Sequence, residues 1–149
     1  MRKLLAFLGV LMVGGYVTMT VGPPIETYIN PVYESVVPVD IKTSARDERF
    51  RFLIDKARDC QLVSKSWYFG DPNGVFQRVR LVPTDLASGP EDASLPVGLQ
   101  YSDEYVVDLS TAGSFRKQFG VTVHKCHGLW NQTTIIGPYP LPFPKEPIK

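Results

Sequence analysis

The stretch CQLVSKSWYFGDPNGVFQRVRLV, residues 60–82, decides the fold class of this 149-residue chain. Its first part is rich in β-forming side chains, and Trp67 and Phe69 fall on the same face of a strand. Residues 70–74 supply turn-forming side chains, and the Asn-Gly pair among them is one of the stronger short hairpin signals. A strand pattern returns after this turn, so the stretch predicts a β-hairpin.

The same alternation with a period of two recurs on both sides of the hairpin. Further strands are predicted at residues 38–42, 49–55, 99–109, 115–126 and 129–136, with a loop over 83–96. Residues 50–60 also fit helical spacing, and Thr43 or Ser44 followed by two acids resembles a helix cap. We favour strands there, because about seven segments separated by turn signals are typical of an antiparallel β-sandwich. The chain is therefore predicted to be mainly β.

The N-terminal segment has a different pattern. From Leu4 to Ile25 there is no charged residue, and the nearly continuous apolar run to Gly22 is long enough, as a helix, to cross a bilayer core of about 30 Å. Arg2 and Lys3 precede this run, so the positive-inside rule places the amino terminus in the cytoplasm. The chain beyond the run is then extracytoplasmic, in the periplasm or outside the cell, and tethered to the cytoplasmic (inner) membrane.

A retained signal-anchor and a cleaved signal peptide both fit this segment. The best cleavage position, after Gly22, is followed by Pro23 and Pro24, which suit cleavage poorly. The apolar run also exceeds the usual signal-peptide core of about 7–15 residues. We therefore favour a transmembrane anchor over residues 1–22.

Proline sets the remaining domain boundaries. Residues 23–36 are predicted to form an extended stalk, because proline fixes its own φ and disfavours helix in the residue before it. The β-sandwich domain is placed at residues 37–137. Residues 138–149, which hold five of the 13 prolines, are predicted to form an extended, proline-rich tail laid along the domain.

Charge is nearly balanced along the chain, with 16 Lys and Arg against 15 Asp and Glu. A nucleic-acid binder needs a basic face that neutralises phosphates. The composition therefore argues against nucleic acid as a partner.

The two cysteines are predicted to form a disulfide, Cys60 to Cys126. An exported chain meets an oxidising compartment, the cysteine count is even, and both residues lie outside the membrane segment. The bond would close a loop of about 65 residues and stabilise the fold by several kcal/mol. The two histidines are then predicted to be bystanders of the bond, with His124 beside it and His127 at the end of the strand.

A metal site formed by His124, Cys126 and His127 is the alternative interpretation of this segment. In a strand, His124 and Cys126 face one side and His127 the other, so the segment does not offer all three to one ion. Covalent haem requires C-x-x-C-H, which is absent from the chain. A thiol nucleophile at Cys126 is disfavoured, because nucleophile and base normally come from distant segments. No cofactor is predicted.

Taken in order, these features resemble a family of small single-pass membrane proteins of phage and bacterial genomes. The features are an N-terminal anchor, Cys60 in a strand, a turn ending at Gly74, and Cys126 followed by Gly-Leu-Trp and a proline-rich end. The resemblance implies an extracytoplasmic immunoglobulin-like or fibronectin-like sandwich. The chain departs from true immunoglobulin domains, because Trp67 follows Cys60 by only seven residues and no tyrosine lies two positions before Cys126. The resemblance therefore implies an architecture and no functional residue.

An anchor, a stalk and a compact β domain without a recognisable reaction centre predict a membrane-tethered binding or assembly module that is not an enzyme. Its expected partners are the membrane and another protein. One alternative is an envelope thiol enzyme or metal-binding protein centred on Cys126, His124 and His127. Another is a phage-encoded envelope factor that acts in lysis or in the exclusion of other phages.

Overall fold

The computed structural model of the protein describes residues 2–84, 95–128 and 130–143. The described residues form one helix and nine strands, with a single 3₁₀ turn at Leu109–Thr111. The elements are α1 (Arg2–Ile29), β1 (Tyr33–Thr43), β2 (Asp47–Lys56), β3 (Gln61–Gly70), β4 (Phe76–Val79), β5 (Leu81–Pro83), β6 (Gly98–Tyr101), β7 (Tyr105–Asp108), β8 (Lys117–Lys125) and β9 (Asn131–Pro140). The chain is therefore mainly β, as predicted, and the segment with the ambiguous helical spacing is strand β2.

The strands form two antiparallel sheets. Sheet 1 has the order β1-β2-β7-β5, and β6 pairs with the other half of β2 beside β7. Sheet 2 has the order β4-β3-β8-β9. One core lies between the two sheets, so the arrangement is that of a β-sandwich.

Two predicted strands are each divided, which raises the strand number above seven. The return strand of the hairpin is interrupted at Arg80, where the chain passes from β4 in sheet 2 to β5 in sheet 1. The segment 99–109 is interrupted at Ser102, whose hydroxyl accepts the Phe52 N–H at 2.9 Å. The hairpin loop has five residues, 71–75, and in it the Gly74 N–H donates to the Asp71 carbonyl at 3.0 Å.

Aromatic side chains dominate the core. Phe50 and Phe52 point inward from β2, and the exposed Arg51 lies between them, as the period of two requires. Trp67 of β3 contacts both rings, with centroid distances of 5.6 and 5.5 Å. The other buried members of this cluster are Ile54, Phe69, Tyr105, Val107, Ile136, Leu141 and Phe143.

A buried polar network crosses the core and joins the sheets. Glu48 of sheet 1 accepts the Gln118 side-chain N–H of sheet 2 at 2.8 Å and the Phe143 backbone N–H at 2.7 Å. Trp67 in turn donates its indole N–H to the Gln118 oxygen at 2.9 Å. Buried polar groups are tolerated when they are hydrogen-bonded, so this network fixes how the two sheets face one another.

The extended stalk predicted over residues 23–36 is not observed. Helix α1 continues through Pro23 and Pro24 to Ile29, and β1 begins at Tyr33. Two prolines remove two intrahelical donors, but contacts from the sandwich to Glu26, described below, hold this segment in the helix. Within α1, Phe7–Ile29 is long and apolar enough to span a membrane.

The C-terminal segment also differs from the prediction. β9 runs to Pro140, and Leu141 and Phe143 are buried in the core instead of lying along the outside of the domain. The described sandwich therefore extends from β1 to Phe143, beyond the predicted range 37–137. Residues 144–149 of the predicted tail and residues 85–94 of the predicted loop lie outside the described residues.

Replacing Gly70 with alanine is expected to destabilise the fold by about 3 kcal/mol. Gly70 ends β3 with a φ of +123°, and an added Cβ would lie 2.3 Å from the Val75 carbonyl oxygen. The matched control is Gly74→Ala, because the nearest atom to a Cβ there is 3.7 Å away. Urea denaturation of the full chain in detergent micelles would measure both variants, and equal losses would contradict this account.

Candidate functional site

The junction between α1 and the sandwich holds a cluster of charged and aromatic contacts. Its centre is Glu26, in the last turns of α1. One carboxylate oxygen accepts the Arg58 guanidinium at 2.9 Å, and the other accepts the Trp130 indole N–H at 2.7 Å. His127 Nε2 lies 2.8 Å from the second oxygen. We call Glu26, Arg58, His127 and Trp130 the junction cluster.

Further contacts extend the junction cluster along the chain between helix and sheet. Arg58 also donates to the backbone carbonyl of Asn30, at 3.1 Å. The Trp130 ring lies against Gly22, where an added Cβ would be 2.9 Å from the ring edge. The helix is therefore held both by charge-assisted hydrogen bonds and by close packing on its backbone.

The predicted disulfide is present, and it connects the two segments that supply this cluster. Cys60 and Cys126 are joined with a Cα–Cα distance of 4.4 Å. They flank the paired residues Gln61 and Lys125, so the bond extends the β3–β8 ladder of sheet 2. Because Arg58 lies two residues before Cys60 and His127 directly follows Cys126, the bond holds both side chains beside the helix.

His124 lies on the inner face of β8 and is buried. Its Nε2 pairs with the Tyr33 hydroxyl at 2.8 Å, and its Nδ1 has no hydrogen-bond partner. Burial, together with the nearby charge of Lys56, lowers the pKa of His124 to about 4. The imidazole is therefore neutral at physiological pH, which suits its place beside a buried lysine.

Lys56 is the buried cation of this region. Its ammonium group donates to the carbonyls of Cys60, at 3.2 Å, and Leu95, at 2.5 Å. These contacts connect the end of β2 to the disulfide. Lys56 therefore stabilises the backbone next to the junction cluster.

The alternative metal site is not assembled in the structure. The Cys126 sulfur is in the disulfide, while His124 reaches Tyr33 and His127 reaches Glu26. In residues 2–84, 95–128 and 130–143 no group of three His, Cys, Asp or Glu side chains is placed to hold a metal ion. Both cysteines are in the disulfide, so this form of the protein has no thiol that could act as a nucleophile.

The sequence reasoning missed most of the junction cluster. Both histidines have partners that the sequence did not indicate, Tyr33 for His124 and Glu26 for His127. Glu26, Arg58 and Trp130 were not singled out as site residues. One signal was available for Glu26, which is the first charge after the apolar run. Arg58 and Trp130 carry no such signal, because only the disulfide and the β8–β9 turn bring them to the helix.

Stability is expected to fall by about 2–3 kcal/mol between pH 7.5 and pH 4.5, through His124. Its pKa is 6.5 when the chain is unfolded and about 4 when it is folded. Below pH 6.5 the His124 imidazole binds a proton in the unfolded chain, whereas in the folded chain it stays neutral until the pH approaches 4. This contribution to stability is therefore complete above pH 6.5 and is lost as the pH falls towards 4. Urea denaturation at a series of pH values measures it.

The substitution His124→Gln provides the test of this assignment, since glutamine keeps a polar group near Tyr33 and does not titrate. We expect the decline between pH 7.5 and pH 4.5 to flatten in His124→Gln and to persist in His127→Gln. An undiminished decline in His124→Gln would show that another group is responsible.

Comparison of the chain with protein-family models, with curated proteins and with solved structures gives no match. The geometry of the chain itself is therefore the basis for a functional proposal.

Proposed function

We propose that the protein is a membrane-anchored, extracytoplasmic binding or assembly module without enzymatic activity. The observation that carries this proposal is the junction cluster, in which Glu26 of an apolar helix is bonded to Arg58, His127 and Trp130 of a β-sandwich. A sandwich attached in this way is held at a fixed distance from the membrane and in a fixed orientation. Such an arrangement suits a surface that contacts another protein.

The length and charge of α1 support a membrane-spanning role with the sandwich outside. Its 28 residues extend about 42 Å, which exceeds a hydrocarbon core of about 30 Å. An ionised carboxylate is costly inside that core, so the paired Glu26 belongs beyond its boundary. Arg2 and Lys3 at the opposite end favour a cytoplasmic amino terminus in the inner membrane.

Two features support a retained anchor and not a cleaved signal peptide. The helix does not end at Gly22, where cleavage was considered, but continues to Ile29. Gly22 is itself packed under Trp130. Cleavage at this point would divide helix α1 and remove the glycine against which Trp130 packs.

The strand order supports an immunoglobulin-like identity for the sandwich. If β6 and β7 count as one strand, sheet 1 corresponds to the order A-B-E-D and sheet 2 to C′-C-F-G. Trp67 on β3 then occupies the place of the buried tryptophan of strand C. The disulfide departs from that pattern, because it joins neighbouring strands of sheet 2 and not the two sheets.

The proposed contact surface is the outer face of β6. Leu99 and Tyr101 are 67% and 63% exposed, and Val97 just before them is 55% exposed. Among the described residues, β6 pairs only with β2, so one of its edges is open to another strand. An exposed apolar row beside an open edge is suited to strand addition by a partner protein.

Membrane insertion and orientation are tested with the full chain in spheroplasts. We expect the chain to resist alkaline extraction, to retain residues 1–22, and to lose its sandwich to protease added outside. A mature amino terminus at Pro23, or a sandwich protected from external protease, would overturn the placement.

Partner contact is tested with a photo-cross-linking residue at Tyr101 in the same membranes. The matched control position is Ser64, which is exposed on the outer face of sheet 2. A discrete cross-linked product from position 101 and none from position 64 is expected. No product at position 101, or the same product at both positions, would contradict the proposed surface.

A further inference from the structure

A cavity of about 400 Å³ opens at the side of the sandwich where the chain crosses from sheet 2 to sheet 1. Three of its lining residues have cationic side chains, Lys65, Arg78 and Arg80. The rest of the lining is Ser66, Trp67, Val79 and Leu81, so no carboxylate of the described residues contributes. In a chain with balanced total charge, this is a local concentration of positive charge.

The two arginines are exposed. In the described part of the chain, neither Arg78 nor Arg80 makes a hydrogen bond or an ion pair. Other exposed cations do pair with acids, as Lys117 does with Asp71 at 2.7 Å and Arg49 with Asp47 at 3.3 Å. The arginine side chains at the cavity therefore keep their donors available to a ligand.

Backbone geometry places both arginines on one side. Two residues apart along an extended chain, Arg78 and Arg80 project in the same direction. The β3 residue paired with Val79 between them is Trp67, which anchors this edge in the core. Their spacing is therefore set by a rigid element.

Lys65 is held on the core side of β3. Its ammonium group lies 3.9 Å from the centre of the Tyr105 ring and donates to the Tyr105 hydroxyl. The donors available at the cavity are therefore those of the two arginines.

We propose that this cavity is a binding site for a multiply charged oxyanion of the phosphate class. Guanidinium groups offer paired N–H donors that match phosphate oxygens, and two of them suit more than one negative charge. This site is distinct from the β6 surface and adds a small-molecule ligand to the proposed function.

The position of the cavity favours a free phosphate over a headgroup of the anchoring membrane. Ser66 follows Cys60 by six residues on β3, which corresponds to about 20 Å along a strand. Cys60 lies near the junction cluster at the end of α1, so the cavity lies away from the end of the sandwich that contacts the helix. A neighbouring cavity on the other side of the arginines contains Asp108, which disfavours an anion there.

The test is a titration of the full chain in nanodiscs with pyrophosphate, followed by amide NMR shifts of residues 65–81. We expect a saturable shift confined to the cavity lining. Arg78→Gln with Arg80→Gln should weaken binding by about tenfold to a hundredfold. Both side chains are exposed, and an unchanged urea midpoint would show that the double variant is folded.

The matched control is Arg51→Gln with Arg116→Gln, which removes the same charge from two exposed positions elsewhere. It should leave pyrophosphate affinity unchanged. Equal weakening in both double variants, or no saturable shift in the native chain, would overturn the site. If malonate bound as tightly as pyrophosphate, the site would not select the phosphate class. If vesicles of phosphatidylglycerol were captured in an arginine-dependent way, the ligand would be a lipid headgroup and not a free phosphate. The titration uses purified protein, so its outcome is separate from that of the cross-linking experiment.

Discussion

Removal of the disulfide, by Cys60→Ala with Cys126→Ala, is expected to lower the free energy of unfolding by about 4 kcal/mol. The bond joins residues separated by 66 positions, and opening a loop of that size releases chain entropy in the unfolded state. Small domains are stable by only about 5–15 kcal/mol in total, so this is a large part of the whole. Urea denaturation of the full chain in micelles measures the loss.

Reduction supplies an independent control for the disulfide. Dithiothreitol should destabilise the native chain by the same amount and leave the double alanine variant unchanged. Thiol labelling under denaturing conditions should find no free thiol before reduction and both thiols after it. Two labelled thiols in the non-reduced protein, or a loss under about 1 kcal/mol, would contradict the assignment.

The substitution Glu48→Ala is expected to destabilise the protein by about 3–4 kcal/mol, although it removes only a small side chain. Glu48 is buried in β2. Its loss leaves the Phe143 backbone N–H without its acceptor and removes one of the two acceptors of the Gln118 side-chain NH2, which also donates to the Pro140 carbonyl. A buried donor without an acceptor carries its full desolvation cost, and two such donors would remain.

Two control variants separate hydrogen bonding from a general effect of removing an acid. Glu48→Gln keeps one acceptor oxygen and the side-chain shape, so its loss should be about half as large. Glu34→Ala removes an exposed glutamate of β1 and should change stability by less than about 0.5 kcal/mol. If Glu48→Ala matched Glu34→Ala, the network would not join the sheets as described.

Alternation of side chains predicted the strands well, because it depends on residues close in sequence. Phe50 and Phe52 on one face of β2 and Trp67 and Phe69 on one face of β3 are in the core, as the period of two requires. The strand breaks at Arg80 and Ser102 were not predicted. They arise where the chain changes sheet or bonds to Phe52, and neither event alters the local pattern.

The disulfide was predictable from counting and location, whereas the site it stabilises was not. Cys60 and Cys126 are the only cysteines, and the predicted export of the chain favours their pairing. The junction cluster joins Glu26 to Arg58 and Trp130 over long stretches of sequence. No local signal marks Arg58 and Trp130, because a contact between distant segments depends on the whole topology.

By itself, the sequence determined the mainly β class, the apolar N-terminal run and the cysteine pair, since each follows from composition or from a short periodic pattern. Only the tertiary structure decided that the segment after Pro23 is helical, that Phe143 belongs to the core, and that Arg78 and Arg80 line one cavity. The physical reason is the same in all three cases. Packing and hydrogen bonds between distant segments can outweigh the local preferences of proline and of polar side chains, and those contacts exist only in the folded chain.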